Sequence, residues 1–294
     1  MLRPVVVGLD GSRESLAAAD WAAREALRRG VPLRLVHAWE AASTEASTLP
    51  ELETPRLWAR RILRGAMDRL NERYPQVCLS AEQIARPPAD ALVSVGAEAE
   101  PLVLGSRAFS GVGGFLAGSV ALATVAHVTR PVVLVRADET PESERVPDAD
   151  GVPSARGPYR EVVVGVDTAH PCEEVLAFAF ESAALRSAPL RVVHTWQLPL
   201  ALGPGARDVT AQQDAEQALA ALLGPWREKY PALEVREQVA NDHPAQQLLH
   251  ATTDACLLVV GRRIRPARLG THTGPVAHSA MHHVRCPVAV VPHE

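Results

Sequence analysis

Three observations predict an α/β fold of two tandem domains, each a mostly parallel sheet with helices on both faces. Short β-branched apolar runs alternate with helix-period segments along the whole chain. The pattern is written twice, so that Val5-Val-Val-Gly-Leu-Asp10 returns as Val162-Val-Val-Gly-Val-Asp167. A glycine-rich stretch, residues 105–120, stands between a strand and a helix in the first copy.

The elements follow in order. Residues 5–9 form an apolar run too short for a helix and read as a buried strand. Residues 12–29 place Leu16, Ala19, Ala23, Ala26 and Leu27 at helical spacing. Ser12 stands at the N-cap, Glu14 in the first turn and Gly30 at the stop. A second strand (33–39) and a second helix (55–73) come next. They are followed by a third strand (77–85) and a helix over 88–95 that opens on Pro88. A fourth strand (101–104), a helix over 119–128 and a last strand (132–135) complete the copy. Leu33-Arg-Leu-Val-His-Ala-Trp39 recurs as Leu190-Arg-Val-Val-His-Thr-Trp196, and Tyr74-Pro75, Gly105, Gly118 and Pro131 recur as Tyr230-Pro231, Gly261, Gly274 and Pro287. A register kept this closely marks a tandem duplication. The domains are expected at 1–137 and 159–294. The Pro-, Asp- and Glu-rich segment 138–158 reads as a linker.

Composition narrows the function. A formal charge of −4 over 294 residues makes no general case for nucleic-acid or anionic-membrane binding. Cys78, Cys172, Cys256 and Cys286 lie far apart with no CxxC pair, which points away from zinc and disulfides and towards a reducing compartment. The start, Met1-Leu2-Arg3-Pro4, has no signal-peptide pattern, and no apolar run approaches membrane-spanning length. A cytoplasmic protein is expected. Lys229 is the sole lysine, so no Gly-Lys pair exists and the P-loop nucleotide site is excluded.

In parallel α/β sheets ligands bind beyond the carboxyl ends of the strands. Asp10, Ala38 and the stretch from Leu104 and Gly105 onward all fall there. Glycine lets backbone approach an anion, and a helix N-terminus offers unpaired N–H groups. Gly105, Ala108, Gly118 and Ser119 fit three of the four positions of a Gly, two residues, Gly, nine residues, Gly, Ser/Thr pattern. In these residues, and in Asp10 of the Gly8-Leu9-Asp10 triplet, the chain resembles the universal stress protein family in its tandem form. Its Ala- and Arg-rich composition is similar to that of actinobacterial members.

The resemblance implies Rossmann-like domains, each a five-stranded parallel sheet of order 3-2-1-4-5. It also implies ATP or a related adenine nucleotide as ligand and leaves room for Mg²⁺ beside it. On this basis Asp10 meets ribose or adenine and the Ala38 backbone meets adenine. Leu104 and Gly105 begin the phosphate loop, with Ser106, Arg107 and the Ala108 backbone lining it, while Gly118, Ser119 and Val120 close over the phosphates. Alanine at 108 departs from the pattern. Were its backbone left-handed, it would cost about 1 kcal/mol relative to glycine.

The second copy keeps Asp167 but reads Gly261-Arg262-Arg263-Ile264 and Gly274-Pro275, losing two cradle positions, a hydroxyl and an N–H. Nucleotide binding is therefore expected mainly in the first domain. Arg262, Arg263, Arg265 and Arg268 read as a solvated charged loop, with an anion or acidic-partner site as the functional reading. His278, His282 and His283 lie on the last helix without an accompanying carboxylate, and read as surface or satisfied side chains rather than metal ligands. His37 and His194 sit at matching strand ends and read as structural. No nucleophile motif or in-line base is present, so any ATP hydrolysis is expected to be slow. The family resemblance implies a stress-response sensor or adaptor, as a homodimer or an intramolecular domain pair. The alternative is a nucleotide-free interaction module that pairs through residues 132–135 and 288–291.

Overall fold

The computed structural model describes residues 2–40, 53–108, 115–116, 118–196, 209–264 and 273–294, without the side chains of 53–55, 107–108 and 115–116. The chain divides into two compact units, Met1–Thr140 and Pro141–Glu294.

The first unit runs β1 (Val5–Gly8), α1 (Arg13–Arg29), β2 (Leu33–Trp39), α2 (Glu53–Arg73), β3 (Leu79–Ala85) and α3 (Pro88–Gly96). It continues with β4 (Leu102–Ala108), β5 (Phe115–Leu116), α4 (Ser119–His127) and β6 (Val132–Arg136). Its parallel sheet has the order β3-β2-β1-β4-β6, and β5 folds back antiparallel on β4. The second unit runs β7 (Glu161–Val166), α5 (Glu173–Arg186), β8 (Leu190–Trp196), α6 (Val209–Lys229) and β9 (Val235–Asn241). It ends with α7 (Pro244–Ala251), β10 (Ala255–Arg263), α8 (Pro275–His283) and β11 (Val288–His293). Its sheet, parallel throughout, is ordered β9-β8-β7-β10-β11. Each unit thus has the 3-2-1-4-5 arrangement. The order reverses between β1 and β4, and between β7 and β10. There the crevice beyond the strand ends is left open.

The apolar runs form central strands because both faces are covered: Val5, Val6 and Val7, like Val162, Val163 and Val164, are fully buried. Trp21 and Leu35 fill the first core, and Phe180, Leu190 and Leu219 the second. Phe180 also stacks on Trp226 with ring centroids 5.3 Å apart. Ser12 caps α1 by accepting from the Ser15 N–H at 3.2 Å, and Gly30 ends it in the left-handed conformation at φ 64°. α5 ends the same way at Ser187, φ 49°, without the benefit of glycine.

Two expectations need correction. The fourth strand does not end at residue 104. Gly105 pairs with Val135 and Ser106 with Arg136 in register, and Arg107 and Ala108 pair back to β5. The first four residues of the expected phosphate loop are therefore sheet. Segment 138–158 differs from a plain tether. The Val146 N–H donates to Pro158 O at 2.9 Å, and the Arg160 N–H donates to Glu144 O at 2.9 Å. The Arg145 guanidinium lies 3.8 Å over the Tyr159 ring. Its composition offers no core, but main-chain bonds and one cation–π contact fold it back on itself.

Candidate functional site

The first unit's cleft, about 300 Å³, opens at the reversal of strand order, at the low end of the range for small-molecule sites. The end of β1 supplies Gly8, Leu9 and Asp10. Leu9 is pinned from both sides: its N–H donates to Val36 O at 2.8 Å, and its carbonyl accepts from His37 Nδ1 at 2.7 Å. The buried imidazole thereby fixes the backbone that presents Asp10, the structural role expected for His37. Asp10 Oδ1 accepts from both the N–H and the hydroxyl of Ser12, at 2.9 and 2.5 Å. Gly11 between them is left-handed at φ 83°, which a side chain would strain. This turn joins the carboxylate to the cap of α1 and sets its position at the mouth.

The opposite wall comes from Leu104 and Gly105 of β4 and from Gly118, Ser119 and Val120 at the start of α4, with Ala38 at the end of β2. The motif glycines are required for different reasons. A Cβ on Gly105 would stand 2.6 Å from the Glu14 carbonyl carbon and 2.7 Å from the Ser15 nitrogen, so glycine there admits the first turn of α1. Among the described residues, a Cβ on Gly118 would meet nothing within 4 Å. Gly118 caps α4 with no side-chain bond to the helix's first N–H groups, which leaves an anion-receptive end that no described residue covers. Gly8 is a packing glycine, since its Cβ would lie 2.7 Å from Leu104 Cδ2.

Eight of the eleven expected residues line this cleft: Gly8, Asp10, Ala38, Leu104, Gly105, Gly118, Ser119 and Val120. Ser106 does not. It is fully buried beside its β6 register partner Arg136, and its hydroxyl accepts from Arg136 Nη1 at 2.6 Å. The side chains of Arg107 and Ala108 lie outside the described residues, as do residues 109–114 and 117. Ala108 pairs with Phe115 as strand, an extended backbone, so the premise of a left-handed alanine does not hold. Sequence reasoning missed Glu14 and Ser15 as lining residues. Their place four and five positions after the strand-end Asp10 was the available signal.

The second unit has its own cleft of about 690 Å³ at the equivalent place, so the loss of motif glycines did not close it. His194 Nδ1 contacts Val166 O at 3.2 Å, repeating the role of His37. Asp167 accepts from the Ala169 N–H through Oδ1 and meets His170 Nδ1 through Oδ2, both at 3.0 Å. Burial pushes the Asp167 carboxyl up, but the bonds from His170 and the Ala169 N–H outweigh it and hold the group below its ordinary range. Cys172 lies in the same cleft, and burial raises its thiol to about 11, with Glu174 as hydrogen-bond acceptor at 3.3 Å. A thiol so far from ionising is no nucleophile at neutral pH, whatever its distance from His170. Arg265 and Arg268 lie outside the described residues, and Arg262 is buried rather than part of a solvated loop. Among the described residues no cluster of three or more His, Cys, Asp or Glu could hold a metal ion, and no helix is long and apolar enough to cross a membrane.

Two parallel sheets, each with a crevice at its strand-order reversal, define a tandem α/β protein of the doubly wound class. The model of the universal stress protein family matches residues 1–136 and 158–292. A universal stress protein of Mycobacterium tuberculosis, Rv2005c, is 33% identical over 97% of this chain and 96% of its own length. A second from the same species, Rv2623, is 31% identical over 97% and 95%. The crystal structure of a universal stress protein from Archaeoglobus fulgidus superposes with a TM-score of 0.73 at 14% identity, covering 99% of this chain and 98% of that one, a likeness of fold. The chain belongs to the universal stress protein family, in its tandem two-domain form.

Proposed function

We propose that the first unit binds an adenine nucleotide, ATP or a close relative, and that the protein acts in the cytoplasm as a nucleotide-dependent stress-response sensor or adaptor. The observation that carries this reading is the uncapped start of α4 at Gly118, covered by no described residue and lying across from Asp10. The phosphates sit at that helix end, where N–H groups and the positive end of the helix dipole favour anions. The Ser119 hydroxyl adds a donor there. The sugar lies by Asp10, and the base lies against Ala38. Asp10 and Glu14 are the carboxylates beside which Mg²⁺ would accompany the phosphates. Any ATP hydrolysis at this cleft is slow.

Calorimetric titration of the full chain with ATP and Mg²⁺ tests the reading. Saturable heat is expected in the wild type, with the first-unit component abolished by Gly118→Val and weakened at least tenfold by Asp10→Ala. Absence of both heat and thermal shift at millimolar ATP would sink it.

A further inference from the structure

The second unit's cleft differs from the first in ways that trace to one short stretch of sequence. α1 begins at Arg13, close behind Asp10, whereas α5 begins only at Glu173, well beyond Asp167. Pro171 holds His170 out of the helical region, and Cys172 at the N-cap is extended at φ −128° and ψ 107°. With no helix backbone pressed against it, Gly261 faces other neighbours. A Cβ there would lie 2.8 Å from His293 Nε2 and 3.2 Å from a Val175 methyl, rather than against a helical turn. The space that the retracted helix leaves is the larger cleft, about 690 against about 300 Å³.

Side-chain cations stand at this cleft. Arg263 and His293 are register partners on β10 and β11, so both side chains lie on the same face of the sheet, and both line the cavity. The start of α8, with Gly274 at its cap and no described residue within 4 Å of a Cβ placed there, closes the same end. Pro275 supplies no N–H, so backbone alone offers less to an anion than in the first unit. The far wall is apolar, formed by Val193, Leu222 and Leu248. Asp167 Oδ1 accepts from the Ala169 N–H and Oδ2 meets His170 Nδ1, so a sugar diol would have to compete with His170 for this carboxylate.

The charges facing His293 come from several elements. Arg263 is beside it on β10. Glu174 of α5 feels its charge, and its Nδ1 meets the main-chain oxygen of Glu294 at 3.0 Å. Asp167, His170 and the protonated Cys172 line the same cavity, with His194 behind Asp167. We propose that the second unit's cleft binds a phosphomonoester with an apolar body and no ribose, its phosphate held between Arg263 and His293. The site is independent of nucleotide binding in the first unit.

Phenyl phosphate is the probe, titrated into the full chain by calorimetry. Saturable binding is expected, weakened at least tenfold by Arg263→Gln and by His293→Gln and left unchanged by Gly118→Val. Displacement of phenyl phosphate by inorganic phosphate on the wild-type chain reads the anion subsite without any variant and so does not depend on any variant folding. No binding, no displacement by inorganic phosphate, undiminished binding in Arg263→Gln or His293→Gln, or loss in Gly118→Val overturns the proposal. So does AMP binding in this unit as tightly as phenyl phosphate, because the site would then read a nucleoside.

Discussion

Gly105 and Gly118 belong to one motif, yet the structure predicts that alanine at each will fail differently. At Gly105 the added methyl overlaps main-chain atoms of Glu14 and Ser15 at 2.6 and 2.7 Å, and main chain cannot swing aside. Either β4 or the first turn of α1 must shift, an overpacking cost of about 1–3 kcal/mol. At about 2–4 °C per kcal/mol for a unit of this size, the first-unit melting temperature should fall by roughly 2–12 °C. At Gly118 the methyl meets no described residue, and the remaining cost is that of alanine at an N-cap, about 0.5–1 kcal/mol or roughly 1–4 °C. The order inverts for ligand. Gly118→Ala places its methyl where the phosphates sit and should weaken ATP at least tenfold at nearly native stability. Differential scanning calorimetry paired with ATP titration reads both quantities. If Gly118→Ala melts as low as Gly105→Ala, or if Gly105→Ala melts within about 1 °C of the wild type, the division of the motif into a packing glycine and a ligand glycine is wrong.

Three further outcomes are expected. His37→Leu leaves the Leu9 carbonyl without its buried donor and should cost about 1–3 kcal/mol in urea denaturation, with weaker ATP binding because Asp10 loses its support. Ser187→Gly relieves a left-handed serine at the end of α5 and should stabilise the second unit by about 0.5–1 kcal/mol, seen as a higher melting temperature. Burial, then the charges of His282 and His283, holds His278 below its ordinary pKa, so the unfolded chain binds the extra proton first. Stability from this group is therefore full above about pH 6.5 and lost as pH falls below it. In melts between pH 7.5 and 5.5, His278→Gln should lose less stability than the wild type.

Much of this fold was legible because the physics of buried parallel strands is local. Val5-Val-Val and its copy Val162-Val-Val could only be covered on both faces, and the repeat fixed element order twice over. Asp10, Ala38 and Gly118 could be placed at the crevice because strand ends and helix starts are marked by punctuating residues. What sequence hid was where strand becomes loop. Gly105-Ser-Arg-Ala has no apolar pattern, yet β6 and β5 offer it partners, and that pairing sets Ser106 beside Arg136, whose guanidinium donates to its hydroxyl. The meaning of glycine was hidden too, since one letter serves equally for a backbone contact at 105 and for a position at 118 that no described residue crowds. Glu14 escaped notice because an acid in a first helical turn is already explained by the dipole. Likewise the fold-back of residues 141–160 rests on main-chain bonds that composition does not report.

The two clefts show how a duplicated domain changes chemistry without changing its sheet. Strand order, the imidazole that pins the first strand's end and the Asp that follows are present in both units. The divergence lies in where the first helix starts. With Ser12 as cap, α1 comes close enough to demand glycine at 105, and the crevice measures about 300 Å³. In the second unit α5 starts later after the Asp, the crevice measures about 690 Å³, and the charged side chains of Arg263 and His293 stand in it. Loss of the glycine pattern in the second copy therefore did not close the crevice, and it left a cavity whose size and lining differ from those of the first.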